Sequence, residues 1–274
     1  MSEALRTPRG KRRVPEVDGT GRLVAFLAVI VSSGLVLYVL GYAVVLPNLQ
    51  LNRVVVQADF EMDREQLLEL AGLTGRRYLF AIDAEAVQTR LEGYPPIRRA
   101  VVRKEFPDTV VLDIDRRRPL LLSLMEEGGR NTPVLIDETG TIYLSGNAAA
   151  AYDAPVLSGI TFRGRVLGST LPVSMGGVLA SLHRLRIDAP ELYNLISEVK
   201  VDTKRGGNYE TLLYFQGFRV PVRVGEEITK DLCTYALMIL DVLEQQGSTS
   251  QVRELDFRSG EIVYRMKEAE NAGE

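Results

Sequence analysis

The side chains that most often do chemistry are scarce in this sequence. Its 274 residues include one histidine, His183, and one cysteine, Cys233. A single cysteine excludes an intrachain disulfide and a Cys-x-x-Cys redox pair. A single cysteine together with a single histidine also excludes Cys/His metal sites. The sequence also lacks the GxxxxGK(S/T), GxGxxG, HExxH and GxSxG motifs of nucleotide-binding and hydrolytic enzymes. We therefore expect no catalytic residue, no metal and no cofactor.

The positions of these two residues favour structural roles. His183 lies beside the apolar stripe of a predicted helix, which indicates a surface or half-buried histidine. Cys233 lies on a later predicted helix, where a small buried apolar side chain is the expected role. A formal net charge of −3 gives no reason to expect a nucleic-acid partner. These observations favour a scaffold protein over a catalyst.

Residues 23–46 form an apolar segment without a charged side chain. At about 1.5 Å per residue, the segment is long enough to cross the roughly 30 Å hydrocarbon core as one helix. Basic residues are denser before the segment, where they are Arg6, Arg9, Lys11, Arg12, Arg13 and Arg22. The positive-inside rule then predicts a single-pass type II protein with a cytoplasmic tail (1–22), a membrane helix (23–46) and an exported C-terminal bulk. A cleaved signal peptide is the alternative, but the apolar run exceeds the usual ~7–15 residues and no A-x-A-like site follows it.

The first exported segment has the pattern of a small α+β domain. Its predicted elements are a strand at 51–57, a helix capped by Asp63 and ended by Gly72, a helix capped by Asp83, and strands at 97–105 and 110–114. This order, strand–helix–helix–strand–strand, predicts a small sheet with two helices on one face. Tyr78 and Phe80, which lie between the helices, are expected to fill its core.

The second exported segment is predicted to be a mixed β-rich region with helices. Its early strands lie within 120–145 around a corner at 137–140, and a short extended piece follows at 155–157. Helices are predicted at 174–187 and 190–196, followed by strands at 197–203, 209–215 and 218–224. A later amphipathic helix ends at Gly247 and is marked by Ile228, Leu232, Tyr235, Ile239 and Leu243. Two last strands, VRELDF and EIVYRM, follow it.

Several short motifs carry a family resemblance. They begin at Gly75 (G-x-x-Y-L-F-x-x-D), Tyr94 (Y-P-P-I-x-x-A-x-V-x-K-x-F-P-D-T), Arg118 (R-P), Leu255 (L-D-F-R) and Ile262 (I-V-Y-R). In this order and combination they resemble the bacterial FtsQ/DivIB cell-division family. Three residues depart from the family pattern, since Arg77 stands where the family has Asn, Lys104 where it has Arg, and Arg117 where it has Glu.

The resemblance implies an α+β protein in several parts. They are a single transmembrane helix, a small POTRA domain (β-α-α-β-β, residues 50–118), a mixed β-rich domain with helices of the FtsQ type (119–267) and a flexible tail (268–274). It also implies a non-enzymatic adaptor of the division septum, held in the cytoplasmic (inner) membrane with its bulk in the periplasm. The implied partners are small bitopic coiled-coil proteins of the FtsB/DivIC and FtsL kinds, together with other divisome components.

The family that this sequence resembles has its main partner contact at the C-terminal edge of the β-domain, where an extended partner segment adds beside the last strand. The resemblance assigns that contact to Phe257, Arg258, Ser259, Gly260, Ile262, Val263 and Tyr264. A plain hairpin turn is the alternative for Ser259 and Gly260, and alternation alone leaves Ile262 and Tyr264 open to a core role. A second contact is expected on the POTRA sheet, near 54–57 or 110–114.

Two other functions are alternatives. One is a POTRA-bearing module of an outer-membrane assembly or two-partner secretion system. Such proteins normally carry tandem POTRA units and a membrane barrel, and the sequence indicates neither. The other is a membrane-anchored enzyme of an unrecognised type, and the missing catalytic motifs count against it.

Overall fold

A long apolar helix opens the part of the chain that the structure describes. The computed structural model describes residues 19–45, 49–59, 62–127, 129–163, 167–203, 209–258 and 263–266. Helix α1 spans Gly19–Leu40 and continues as a π-helical turn, Gly41–Val45. The span Thr20–Ala43 is apolar and unburied, as expected of a helix suited to lipid. Near its C-terminal end Tyr38 and Tyr42 stack with their ring centroids 6.4 Å apart, and aromatic residues of this kind are typical of a membrane interface.

The segment that follows the apolar helix contains the five elements that its sequence predicts, in the predicted order. They are β1 Arg53–Ala58, α2 Arg64–Ala71, α3 Ala84–Glu92, β2 Ile97–Glu105 and β3 Thr109–Arg116, with a 3₁₀ turn at Leu79–Ala81. The strands form a three-stranded sheet in the order β1-β3-β2, so the last strand in sequence is the central one. The strand–helix–helix–strand–strand prediction is confirmed.

The two ends of α2 follow from single residues. The Asp63 side chain accepts a hydrogen bond from the Glu65 backbone N–H at 3.3 Å, which satisfies one of the unpaired donors at the helix N-terminus. Gly72 ends the helix in the left-handed region, at φ 67°, and its N–H donates to the Glu69 carbonyl at 2.9 Å. The predicted cap and the predicted stop are both confirmed.

The aromatic residues around the 3₁₀ turn lie on the surface. Leu79 is fully buried, whereas Tyr78 is 38% exposed and Phe80 is 58% exposed. The two rings stack on each other with their centroids 5.4 Å apart. Because a 3₁₀ turn has about three residues per turn, only one of three consecutive side chains faces inward. The prediction that Tyr78 and Phe80 fill the core is wrong.

In the ranges that the structure describes, the remaining strands form one nine-stranded sheet of mixed direction, in the order β12-β11-β10-β9-β8-β7-β4-β5-β6. The strands are β4 Leu121–Glu127, β5 Arg130–Ile136, β6 Ile142–Ser145, β7 Val156–Arg163, β8 Ile196–Thr203, β9 Tyr209–Phe215, β10 Val222–Val224, β11 Val252–Asp256 and β12 Val263–Met266. The helices are α4 Asn147–Ala150, α5 Gly176–Asp188, α6 Pro190–Tyr193 and α7 Lys230–Gln245, with 3₁₀ turns at Val173–Met175 and Ser248–Ser250. The predicted mixed β-rich region with helices is confirmed.

The last four strands build the C-terminal edge of this sheet. β9 pairs antiparallel with β10, β10 pairs parallel with β11, and β11 pairs antiparallel with β12. A parallel pair needs a crossover connection, and α7 supplies it between β10 and β11. Cys233, Ala236 and Leu240 of α7 belong to the same buried cluster as Val222 and Leu255 of the sheet. The helix therefore covers the sheet close to its edge.

Cys233 and His183 occupy structural positions. Cys233 is fully buried, and burial raises the pKa of its thiol to about 12, which keeps the thiol protonated and unreactive at neutral pH. His183 is half-buried, and its Nδ1 lies 3.1 Å from Nη2 of Arg186. In the ranges that the structure describes, no group of three or more His, Cys, Asp or Glu side chains is arranged to hold a metal ion.

Most of the predicted apolar stripe of α7 is confirmed, since Ile228 and Leu243 are buried and Leu232 and Ile239 pack against the core. The predicted apolar stripe includes Tyr235, but Tyr235 is 58% exposed. The buried side chains are Cys233, Ala236, Leu240 and Leu243. Small residues at two of these positions let the helix approach the sheet closely, which a tyrosine there would prevent. Apolar residues therefore continue onto the exposed side of α7.

A buried ion pair fastens the segment between β3 and β4. The Arg117 guanidinium donates to Oδ2 of Asp137 at 2.5 Å and to the Pro95 carbonyl at 2.9 Å. The Asp137 side chain is fully buried, and its second oxygen accepts from the backbone N–H groups of Thr139 and Thr141. Arg117, one of the three residues that depart from the family pattern, thus neutralises a buried carboxylate.

Replacing Arg117 by Ala is expected to lower the free energy of unfolding by about 3–5 kcal/mol, because Asp137 keeps a buried charge without its cation. Arg118→Ala is the matched control, since Arg118 lies 3.6 Å from Asp59 in an exposed pair that contributes about 0–1 kcal/mol. The measurement is the unfolding midpoint of the full chain in detergent, followed by far-UV circular dichroism. Equal midpoints for the two variants would contradict the role of Arg117.

Candidate functional site

Strand β12 forms one edge of the nine-stranded sheet. It spans Val263–Met266 and pairs with β11 in a register that sets Leu255 opposite Tyr264 and Glu254 opposite Arg265. Within the described ranges, β11 is its only strand neighbour. Backbone groups of a strand point alternately to its two sides, so β12 directs N–H and C=O groups away from the sheet. The edge therefore offers hydrogen-bonding groups to a further strand.

The seven residues expected at the partner contact fall into four groups. Val263 and Tyr264 lie on β12 and are 47% and 49% exposed. Phe257 is half-buried and packs against the core cluster. Arg258 follows β11, and its guanidinium takes part in a set of ion pairs with neighbouring strands. The residues that lie outside the described ranges are Ser259, Gly260 and Ile262.

An apolar groove of about 530 Å³ runs beside β12, on the side of the sheet that α7 covers. Alternate residues of a strand share a face, so Tyr264 and Met266 both line this groove. Met238 and Val242, from the exposed side of α7, line it as well. These four side chains are about half exposed. The edge of the sheet thus combines backbone hydrogen-bonding groups with an apolar groove.

Six charged side chains form a closed ring on the other face of these strands. The charge ring runs, in order of contact, through Glu210, Arg223, Glu254, Arg265, Asp256 and Arg258, and Arg258 contacts Glu210 again. Each carboxylate contacts two guanidinium groups, and each guanidinium contacts two carboxylates. The members come from β9, β10, β11, β12 and the turn after β11, so the ring connects all four strands at this end of the sheet.

Two contacts of the charge ring are bidentate. Arg223 donates to the two oxygens of Glu254 at 3.0 and 2.6 Å, and Arg258 donates to the two oxygens of Asp256 at 2.9 and 2.6 Å. Arg265 joins the two acids, with Nε 3.2 Å from Oε1 of Glu254 and Nη2 2.9 Å from Oδ2 of Asp256. Planar pairs of this kind fix the relative orientation of both groups. The ring therefore fixes the register of β12 on β11.

Burial and pairing shift the ionisation of ring members. Glu254 and Asp256 are both buried. Hydrogen bonds from Arg258 lower the pKa of Asp256 from 3.8 to about 2. The hydrogen bond to Glu254 raises the pKa of Arg223, and the hydrogen bond to Asp256 raises the pKa of Arg258. These shifts keep Asp256 and Arg258 ionised across the physiological pH range.

Sequence reasoning assigned Arg258 to the partner contact and missed the charge ring. Part of the ring is visible locally, because Glu254, Asp256 and Arg258 follow one another at the two-residue period of a strand face. Glu210 lies 48 residues before Arg258, and only the order of strands in the sheet brings the two together. The groove was missed as well, because the pattern of α7 indicated a single apolar face.

Asp256→Asn is expected to lower the free energy of unfolding by about 2 kcal/mol at neutral pH, because the lowered pKa of Asp256 reflects how strongly the folded ring favours the carboxylate. A lowered pKa gives stability that is present above the usual value of 3.8 and is lost as the pH falls through about 2. The unfolding midpoints of variant and parent should therefore differ at neutral pH and converge in acid. Asp202→Asn is the control, since Asp202 is half exposed and 4.0 Å from Lys200. A difference between Asp256→Asn and parent that stays constant with pH would contradict the pairing.

Comparison with known proteins gives a consistent result. Residues 49–117 match the family of FtsQ-type POTRA domains. The chain is 27% identical over 259 residues to the cell division protein FtsQ of Anaeromyxobacter sp. (strain K), an alignment that covers 90% of this chain and 85% of the relative. It is 27% identical over 181 residues to the cell division protein FtsQ of Syntrophotalea carbinolica, covering 65% and 60%. It is 25% identical over 134 residues to the cell division protein DivIB of Geobacillus kaustophilus, covering 47% and 50%.

These similarities agree with the architecture. The POTRA match contains the elements β1 to β3, and the alignment with the Anaeromyxobacter protein covers most of the chain. Proteins of this family are generally non-catalytic and take part in protein–protein interactions of the division machinery. With the apolar helix α1, the similarities indicate a single-pass membrane protein with a role in cell division. These matches support the FtsQ/DivIB family of cell division proteins as the family that this chain is similar to along most of its length.

Proposed function

We propose that this protein is a non-enzymatic adaptor of the division septum. It binds small bitopic coiled-coil proteins of the FtsB/DivIC and FtsL kinds through β12 and links them to other divisome components. Helix α1 holds it in the cytoplasmic (inner) membrane, with its bulk on the periplasmic side. The observation that carries the proposal is an exposed edge strand, β12, beside an apolar groove.

The backbone of β12 supplies one part of the binding. An extended partner segment adds as the next strand and exchanges N–H···O=C hydrogen bonds with β12. Proteins usually block exposed edges with prolines, inward-pointing charges or a covering element. Strand β12 contains no proline, and its one charged residue, Arg265, is engaged in the charge ring. The usual obstacles to strand addition are therefore missing from β12 itself.

The apolar groove supplies the side-chain part. Every second residue of an added strand points to the side of α7, where it extends the wall made by Tyr264 and Met266. Side chains there become buried against Met238 and Val242, and burial contributes roughly 25 cal/mol per Å² of apolar surface. The groove therefore favours a partner strand with apolar residues at alternate positions, and Tyr264 is the expected aromatic anchor.

The charge ring prepares this edge for its partner. An element that is already ordered loses less conformational freedom on binding, so more of the contact energy contributes to affinity. Arg258, assigned to the partner contact from the sequence, serves in this proposal by holding Asp256, which in turn contacts Arg265 of the edge strand. Phe257 and Arg258 therefore support the edge, while Val263 and Tyr264 meet the partner.

Two variants, Val263→Pro and Tyr264→Pro, test the proposal as a matched pair. Consecutive N–H groups of a strand point to opposite sides, so one proline removes an outward donor and the other removes a donor to β11. The Leu255 N–H donates to the Pro221 carbonyl beside β10, so it is Asp256 that faces β12, its partner Val263 faces β11, and the Tyr264 N–H points outward. Tyr264→Pro is therefore expected to keep its unfolding midpoint and to weaken partner capture at least about tenfold. The measurement is capture of the co-expressed FtsB/DivIC-like and FtsL-like proteins of the same organism by the full chain in detergent.

The control for this pair is Ser145→Pro, at the end of β6 on the opposite edge of the same sheet. It is expected to leave capture unchanged, because the proposal places no partner there. Far-UV circular dichroism of each variant reports whether the fold is intact. Normal capture of the partners by both β12 variants would contradict the proposed binding mode.

A further inference from the structure

The chain just after the membrane helix is hydrogen-bonded to two loops. The Leu51 N–H donates to the Arg77 carbonyl at 2.7 Å, which ties the chain to the segment before the 3₁₀ turn. The Asn52 N–H donates to the Asp108 carbonyl at 3.0 Å, which ties it to the turn between β2 and β3. Both loops therefore lie beside the residues that leave the membrane.

Chain length places these loops close to the membrane surface. The π-helical turn that follows α1 ends at Val45, and Leu49 is four residues later, so the two are at most about 14 Å apart even in a fully extended chain. The Leu79 N–H donates to the Leu49 carbonyl at 2.8 Å. Tyr38 and Tyr42 stack near the same end of the helix, which is where aromatic residues mark the membrane–water interface.

Both loops expose large aromatic side chains. Phe106 is 75% exposed in the turn between β2 and β3, and the stacked pair Tyr78 and Phe80 is exposed at the 3₁₀ turn. Arg76 and Arg77, directly before this pair, are exposed too. Aromatic rings with arginine side chains are a combination that favours the headgroup layer of a bilayer, since tyrosine and arginine have an apolar body with a polar or charged tip and the phenylalanine rings add apolar surface.

We propose that Tyr78, Phe80 and Phe106 dip into the interfacial layer of the membrane that α1 crosses, with Arg76 and Arg77 at anionic lipid headgroups. These five residues form the aromatic patch. It belongs to the same compact unit as α1, which includes 75–83 and 103–111. Because α1 keeps the patch at the bilayer at all times, even weak insertion is favoured by a high effective concentration. The occupant is lipid, because the bilayer lies within the reach of the connecting chain.

The lack of tryptophan in the sequence allows a direct test. Full-length Phe80→Trp and Phe106→Trp each carry a single indole, as does the control Val173→Trp, at a residue that is 97% exposed in the other compact unit. The chains are reconstituted into phosphatidylcholine/phosphatidylglycerol vesicles that contain lipids with a nitroxide quencher at a shallow or a deep position. The patch indoles are expected to emit at shorter wavelength than the control indole and to be quenched several-fold more, most strongly by the shallow quencher.

A second comparison tests the proposed contacts of Arg76 and Arg77 with anionic headgroups. Arg76→Gln with Arg77→Gln, in the Phe80→Trp background, is expected to reduce quenching in the anionic vesicles and to leave it unchanged in pure phosphatidylcholine. Equal loss in both kinds of vesicle, or none in either, would overturn the arginine contacts. Quenching of Phe80→Trp no stronger than that of Val173→Trp would overturn the whole proposal. If Phe80→Ser weakened capture of the division partners while lipid quenching was absent, the patch would instead be a protein-docking surface.

Discussion

The C-terminal edge of this protein depends on the charge ring. All four residues of β12 are exposed, so burial of apolar side chains contributes little to holding the strand. What holds it is the backbone ladder to β11 and the two contacts of Arg265 with Glu254 and Asp256. Those acids are themselves buried, and a buried carboxylate is costly without a cation. The strand and the charges beneath it therefore stabilise each other.

The ring contributes specificity as well as stability. Clusters of buried ion pairs are often no more stable than well-packed apolar side chains of similar volume, so energy alone is a weak reason for six charges at one site. The need to fix the register of β12 on β11 is a stronger reason. A slip of one residue would turn Arg265 to the face of the groove and bring Tyr264 over Glu254 and Asp256. For the proposed adaptor, this means that the partner meets Tyr264 and Met266 in a single, defined position.

Local rules predicted the POTRA domain well, because single residues there determine the ends of elements. Asp63 and Gly72 bound α2, and proline and alternation set the strands. The second domain was harder to predict, because fewer single residues there determine where the elements end. The strand expected at 218–224 is only Val222–Val224, since Pro221 has no N–H for the ladder. Periodicity located α7 and most of its buried face but not the exposure of Tyr235, because packing against the sheet selected the small residues Cys233 and Ala236.

The last strand was predictable in position, but the side-chain contacts around it were not. Strand order at the chain end, together with the family resemblance, pointed to the last strand. The ion pairs could not be predicted without the strand order of the sheet, because Glu210 and Arg223 are on strands remote in sequence from Arg258. The exposure of the Tyr78 and Phe80 rings could not be predicted from their apolar character. In the short turn only the Leu79 side chain points inward.

The position of Arg265 so near the end of the sheet has a consequence for biosynthesis. The ribosome makes Glu210, Arg223 and the two acids of β11 before it makes the strand that completes their neutralisation. A chain that stopped short of Val263, through a premature stop codon or proteolytic clipping, would keep those acids and lose a cation that both of them share. Such a fragment would lack the proposed docking strand and would also carry a weakened sheet margin, open to degradation. Only a polypeptide translated past this point has both the proposed binding surface and a neutralised interior, so under the proposed function an incomplete copy would compete poorly for the partners of the full one.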